Sequence, residues 1–147
     1  MFKAYKYRIY PNKEQEELIQ KTFGCVRFVY NQCLAYKKDK YELEKVSMSK
    51  TDCNNYVNRV LKKEYEWLKE VDSISLQQTL KDLDQAYKNF FKRIKNGTRV
   101  GFPKFKSKKN NNKSYTTNNQ NGTIYIENNK IKLPKLKKAV RYNLEDR

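Results

Sequence analysis

Histidine is absent from this 147-residue chain, and only three cysteines, four glycines and three prolines occur. Without histidine there is no Ser–His or Cys–His pair for nucleophilic catalysis and no mixed zinc site. Cys25, Cys33 and Cys53 are odd in number, lie on helical segments and fit no zinc spacing. They read as buried free thiols of a reducing cytoplasm. The scarcity of glycine and proline, beside 14% aromatic residues, excludes a disordered basic tail and predicts a folded domain. No apolar run approaches the roughly 18 residues that span a bilayer. Met1-Phe-Lys-Ala-Tyr-Lys-Tyr-Arg8 has no apolar signal core, and the lysines are spread over the chain rather than gathered beside an anchor. The chain is therefore expected to be soluble and cytoplasmic, with no membrane partner.

Acidic residues are also short. Lys and Arg number 33 against 16 Asp and Glu, a formal charge of +17. Such an excess pulls a compact state apart and is usually retained for a polyanionic partner. The acids that exist, such as Glu14, Glu16 and Glu17 or Asp82 and Asp84, sit among lysines on polar helix faces, and Glu127 stands alone at a hairpin end. A two-metal nuclease needs several convergent carboxylates, which this pattern lacks, and there is no Gly-rich phosphate loop. The chain is not expected to be an enzyme by itself.

What is present is basic and aromatic together. Gly101-Phe-Pro-Lys-Phe-Lys-Ser-Lys-Lys109, preceded by Val100 and followed by Lys113, interleaves cations with two flat rings ahead of a Ser/Thr/Asn tract. That combination suits a nucleic acid, whose phosphates attract lysine and whose bases stack. The plainer alternative is a solvated basic loop with both phenylalanines tucked onto their own domain.

Alternation over residues 4–10 predicts a half-buried strand ended by Pro11, and Asn12-Lys-Glu-Gln15 forms a capping box. Leu18, Ile19, Phe23, Val26, Tyr30, Cys33 and Leu34 then recur at helical spacing, with Gly24 placed to break or kink the helix. Ser49-Lys-Thr-Asp52 opens a second helical unit with Tyr56, Val57, Val60 and Leu61 on one face, and Trp67-Leu68 falls in a connection. Asp72 or Ser73 caps a helix whose seam is Leu76, Leu80, Leu83, Tyr87, Phe90 and Ile94, stopped at Asn96-Gly97. Residues 123–127 and 130–133 alternate as strands around Asn128-Asn129, and Val140-Arg-Tyr142 begins another. The fold class is α+β: a helical bundle inserted between the first strand and the later strands of a small β-barrel.

Tyr7-Arg-Ile-Tyr-Pro11, Gly24-Cys-Val-Arg27-Phe-Val-Tyr30-Asn31, Trp67-Leu68 with Asp72, Ala86-Tyr-Lys-Asn-Phe-Phe91, Gly101-Phe-Pro-Lys-Phe-Lys-Ser-Lys108 and Ile131-Lys-Leu-Pro-Lys-Leu136 follow in an order that resembles the TnpB (OrfB) proteins of IS200/IS605 insertion sequences, relatives of Cas12 effectors. Nearly the whole chain carries the resemblance. It implies an oligonucleotide-binding-like barrel, the wedge, with residues 1–10 as its first strand, 11–97 as a recognition lobe and 98–147 as its remaining strands, incomplete at the C-terminal end. The family's RuvC-like nuclease and zinc finger lie further along a longer chain, so this sequence is expected to be a fragment or truncated product. Magnesium and zinc are expected only in those further domains, with no cofactor here. The implied partners are guide RNA from the transposon end and double-stranded DNA, in a prokaryotic, nucleoid-associated setting.

By alignment to the family, contacts to the target-adjacent DNA motif fall at Met48, Ser73, Ile74, Gln77, Gln120 and Asn121; Gln and Asn pair bidentately with adenine, and apolar side chains meet a thymine methyl. Arg8, Arg27, Lys104, Lys106, Lys108, Lys109 and Lys113 are expected on the nucleic-acid backbone. Tyr5, Tyr7, Phe102 and Phe105 are candidates for base stacking, with barrel core as the competing role of the two tyrosines. A helix-turn-helix DNA binder and a truncated regulator dimerising through the Leu76–Ile94 seam are the alternatives. A monomer is favoured over a homodimer because the first helix offers that seam a complementary apolar face.

Overall fold

The computed structural model describes residues 3–97, 101–109, 113–119 and 122–144. The chain divides into two compact units, residues 1–21 with 118–147 and residues 22–117.

The first unit is built on a four-stranded antiparallel sheet ordered β1-β4-β3-β2, with β1 Tyr7–Tyr10, β2 Tyr125–Glu127, β3 Lys130–Lys132 and β4 Val140–Leu144. Asn128 and Asn129 take the left-handed conformation that a two-residue hairpin loop demands (φ 49° and 60°), and they join β2 to β3. Helix α1, Lys13–Glu44, starts in this unit. Its capping box closes reciprocally: the Gln15 amide N–H donates to Asn12 Oδ1 (2.9 Å), and the Asn12 N–H donates to Gln15 Oε1 (3.0 Å). Gln15 is buried, and its Nε2 donates to the carbonyls of Lys138 (3.2 Å) and Ala139 (3.0 Å), fastening the helix start to the approach of β4. Among the described residues, Ile19, Ile131, Leu133, Leu136 and Val140 are the buried apolar residues of this unit.

The second unit is helical. It contains the rest of α1, then α2 Lys50–Tyr56, a wide π-turn Val57–Leu61, α3 Lys62–Glu64, a 3-10 turn Glu66–Glu70 and α4 Ser73–Lys95. Gly24 neither breaks nor bends α1 into two: the helix runs through it for 32 residues and continues over the charged stretch to Glu44. It ends where Lys45 turns left-handed (φ 57°). Ser49 and Asp52 form the expected capping box of α2. Of the four residues expected on one face there, Val57 and Leu61 are buried, whereas Val60 is 45% exposed, because the π-turn shifts the helix phase between them. Cys25, Val29, Cys33 and Leu34 from α1 are buried, as are Cys53, Leu68 and Val71, and Leu76, Leu80 and Leu83 from α4. The α4 seam is thus buried in its first half; Ile94 at its far end is 52% exposed. All three cysteines are buried and none is in a disulfide. The Cys33 thiol is pushed well up by its hydrogen bond with Cys53 and by burial. Among the described residues no helix is long and apolar enough to cross a membrane.

Candidate nucleic-acid interface

The basic-aromatic stretch is strapped to the helical unit rather than left loose. Asn31, on α1, holds the backbone of Lys106 from both sides: its Nδ2 donates to the Lys106 carbonyl (2.9 Å), and the Lys106 N–H donates to its Oδ1 (2.8 Å). One amide side chain thereby satisfies a loop residue's donor and acceptor as a paired strand would. Upstream, the Phe102 ring meets Tyr87 and Phe90 of α4 edge-to-face at 5.2 and 5.1 Å. The Lys38 ammonium of α1 lies 5.0 Å from the Phe102 ring centre and 5.1 Å from that of Phe105. Lys106 reaches back over Tyr30 at 4.3 Å, and Lys37 sits 4.5 Å over Tyr87. Cation–π contacts of this kind hold lysines in place without neutralising them.

Phe102 and Phe105 therefore differ. Phe102 is engaged by three aromatic or cationic neighbours, while Phe105 is 52% exposed and shares only Lys38 with it among the described contacts. Lys104, Lys108, Lys109 and Lys113 are exposed, and Lys106 is half-buried by its packing on Tyr30. Arg27 lies half-buried on α1, and Arg8 is exposed on β1.

The start of α4 is fixed by a buried carboxylate. Asp72 Oδ1 accepts from the Ile74 N–H (3.1 Å), and its Oδ2 accepts from Ser75 Oγ (3.0 Å) and from Thr117 Oγ1. The polar tract after the strap is thus tied to the helix cap, with Tyr115 edge-on to Phe23 at 5.9 Å. Burial, and secondarily the Asp72 charge, pushes the Tyr115 hydroxyl up to about 12. The cap leaves Ser73 and Gln77 exposed one turn apart and Ile74 half-buried between them. Met48 belongs elsewhere in the unit, lining a shallow groove of about 410 Å³ beside Lys40, Asn55, Arg59 and the face-to-face rings of Tyr36 and Tyr56 (3.9 Å, 2° apart). Gln120 and Asn121 fall outside the described residues. In the sheet unit, Tyr7 packs edge-on to Tyr142 at 5.2 Å, and Tyr5, 55% exposed, lies tilted 6.2 Å from Tyr7.

Sequence reasoning missed Asn31, Tyr30, Lys37 and Lys38 as parts of this surface. The i, i+7 spacing of Asn31 and Lys38 puts both on one side of α1, but nothing local shows that a loop 75 residues away docks there. Among the described residues no group of three His, Cys, Asp or Glu side chains is placed to hold a metal ion.

A family model described as a helix-turn-helix domain, of the OrfB IS605 type, matches residues 1–45. In the structure that stretch holds β1 and the unbroken α1. The chain is 40% identical over 117 residues to the virulence protein VsdF of Salmonella dublin, an alignment covering 74% of this chain and 95% of that one. It is 37% identical over 108 residues to a putative RNA-guided DNA endonuclease of Streptomyces pristinaespiralis, covering 73% of this chain and 26% of the relative. With the putative RNA-guided DNA endonuclease InsQ of Escherichia coli K12, identity is 35% over 134 residues, covering 90% of this chain. The chain spans 32% of InsQ.

Proposed function

The chain belongs to the TnpB/OrfB family of IS200/IS605 insertion sequences, and from that membership we propose that it is a nucleic-acid-binding module of the RNA-guided type, holding guide RNA and reading a DNA motif beside the target. The observation that carries the reading is the strap: exposed lysines on a loop whose backbone and rings are anchored to α1 and α4, in a chain of charge +17. A solvated loop needs neither the Asn31 clamp nor a cation between its rings. The sheet is taken as part of an oligonucleotide-binding-like barrel, and the helices between β1 and β2 as the recognition lobe. Ser73, Ile74, Gln77 and Met48, with Gln120 and Asn121, are assigned to the DNA motif. The strap lysines with Arg8 and Arg27 are assigned to phosphates, and Phe105, Phe102, Tyr5 and Tyr7 to bases. Cleavage of DNA is left to parts of the longer relatives that this chain does not align with, and the setting is the cytoplasm and its nucleoid.

The test is a fluorescence-anisotropy titration at several salt concentrations, with structured RNA from a transposon end and a duplex of equal length. For about six phosphates neutralised, log affinity falls with log salt at a slope of roughly −5. Preference for the structured RNA is the expected result. A salt-independent signal, or equal affinity for any polyanion, would remove the reading.

A further inference from the structure

The sheet has a second basic-aromatic surface. In an antiparallel ladder, directly opposed residues project to the same face and successive residues to opposite faces. The register opposes Tyr10 to Arg141, Arg141 to Lys130, Arg8 to Asn143 and Tyr125 to Lys132. One face therefore collects Arg8, Tyr10, Tyr125, Lys130, Lys132 and Arg141. The other face collects Ile9, Tyr142, Val140 and Ile131, of which Val140 and Ile131 are buried. Glu127, opposite Lys130 at the hairpin end, is the one acid of the first face among the described strand residues.

This face is poorly suited to be mere solvated surface. Lys130 and Arg141 are directly opposed like charges, an arrangement that weakens a strand pair. Neither they nor Arg8 make an ion pair among the described residues, although all three are exposed. The aromatic ring beside them is held ready. The Arg141 guanidinium lies 5.8 Å over the ring centre of Tyr10, and Asn143 Nδ2 donates to the Tyr10 hydroxyl (3.1 Å). Tyr10 stays 43% exposed and Tyr125 50% exposed. One fixed ring and a second exposed one, flanked by unpaired cations spread over strands about 4.8 Å apart, match bases and phosphates of a strand laid across the sheet. A duplex hides its base faces within its own stack and offers such rings nothing.

We propose that this face of the sheet is a single-strand-binding site, with Tyr10 and Tyr125 as stacking platforms and Arg8, Lys130 and Arg141 on the phosphates. The inference rests on the nucleic-acid-binding reading and adds to it a surface separate from the strap. Lys132 contributes less, because its ammonium is turned to the Leu133 carbonyl (3.0 Å).

The experiment titrates the whole chain with oligouridylate, oligodeoxythymidylate and a duplex of equal length. It compares the native sequence with the double variant Lys130→Gln, Arg141→Gln and with Tyr125→Ala, each checked for folding by circular dichroism. Two lost phosphate contacts should lower the single-strand salt slope by about 1.4 and the affinity several-fold, with duplex binding unchanged. Tyr125→Ala, at an exposed edge position, should weaken single-strand binding about tenfold and leave the salt slope alone. Tighter binding of uridylate than deoxythymidylate would assign RNA as the strand, and the reverse DNA; both support the site. Equal loss for duplex and single strand would reduce the face to part of a general field and overturn it. Unaltered binding by both variants overturns it too, while leaving the module's nucleic-acid function standing. If the native chain binds no probe, that function falls first.

Discussion

Asp72 spends both carboxylate oxygens on three donors: the Ile74 N–H, the Ser75 hydroxyl and the Thr117 hydroxyl. It is 6% exposed, so water does not replace those bonds easily. Asp72→Ala removes a helix cap and strands two hydroxyls, and should cost about 2–3 kcal/mol, read as a lowered urea midpoint. Asp72→Asn keeps an acceptor oxygen for the cap and should cost less. A cost below about 0.5 kcal/mol for Asp72→Ala would mean that the Thr117 tract is not tied to α4. Two tyrosines give a second test at this scale. Burial pushes the hydroxyls of Tyr87 and Tyr115 from the ordinary 10.0 up to about 12. Their raised folded values mean that the stability they contribute is fully present below pH 10. It is then lost as pH rises from 10 towards 12, because the unfolded chain ionises first. In an ultraviolet titration, Tyr115→Phe should remove one late-titrating phenol and the double variant with Tyr87→Phe two, leaving the raised phenols of Tyr30 and Tyr56 in the late phase.

Helix α1 ignores its glycine. A Cβ built at Gly24 meets nothing nearer than an Arg27 guanidinium nitrogen at 4.0 Å, and the residue is helical. Gly24→Ala should therefore stabilise the chain by about 1 kcal/mol, measured by denaturant unfolding. A loss of stability would show that a bend at this point belongs to the working conformation. The sequence suggests a break because glycine is a poor helix former taken alone; burial of Cys25, Val29 and Cys33 at helical spacing outweighs that preference. Local chemistry was readable where its partners lie within one turn. The Asn12–Gln15 and Ser49–Asp52 boxes, the Asp72 cap and the Asn128-Asn129 hairpin all depend on neighbours three residues away or fewer. The π-turn was not readable, since Val57-Asn-Arg-Val-Leu61 carries no mark distinguishing a wide turn from an α-helical one.

The contacts that shape the candidate interfaces are long-range, which is why the sequence shows their ingredients and not their assembly. Asn31 and Lys106 are 75 residues apart, and Tyr10 and Asn143 are 133 apart. The net charge, in contrast, is a property of the whole chain and makes a prediction of its own. At +17 the folded state concentrates repulsion that the expanded chain relaxes. Screening lengths fall from about 30 Å at 0.01 M salt to about 10 Å at 0.1 M, so added salt should raise the melting temperature of the chain alone over that range. A bound polyanion reverses the sign. Ligand at a hundred times its dissociation constant adds about 2.7 kcal/mol, and salt that weakens binding removes that increment. The melting temperature should therefore rise with salt in the absence of structured RNA and fall with salt in its presence. The crossing of the two curves is measurable by thermal shift, without a labelled probe. Parallel curves would mean that the charge excess is not kept for a polyanion that neutralises it, and the strap lysines would then be solvated surface.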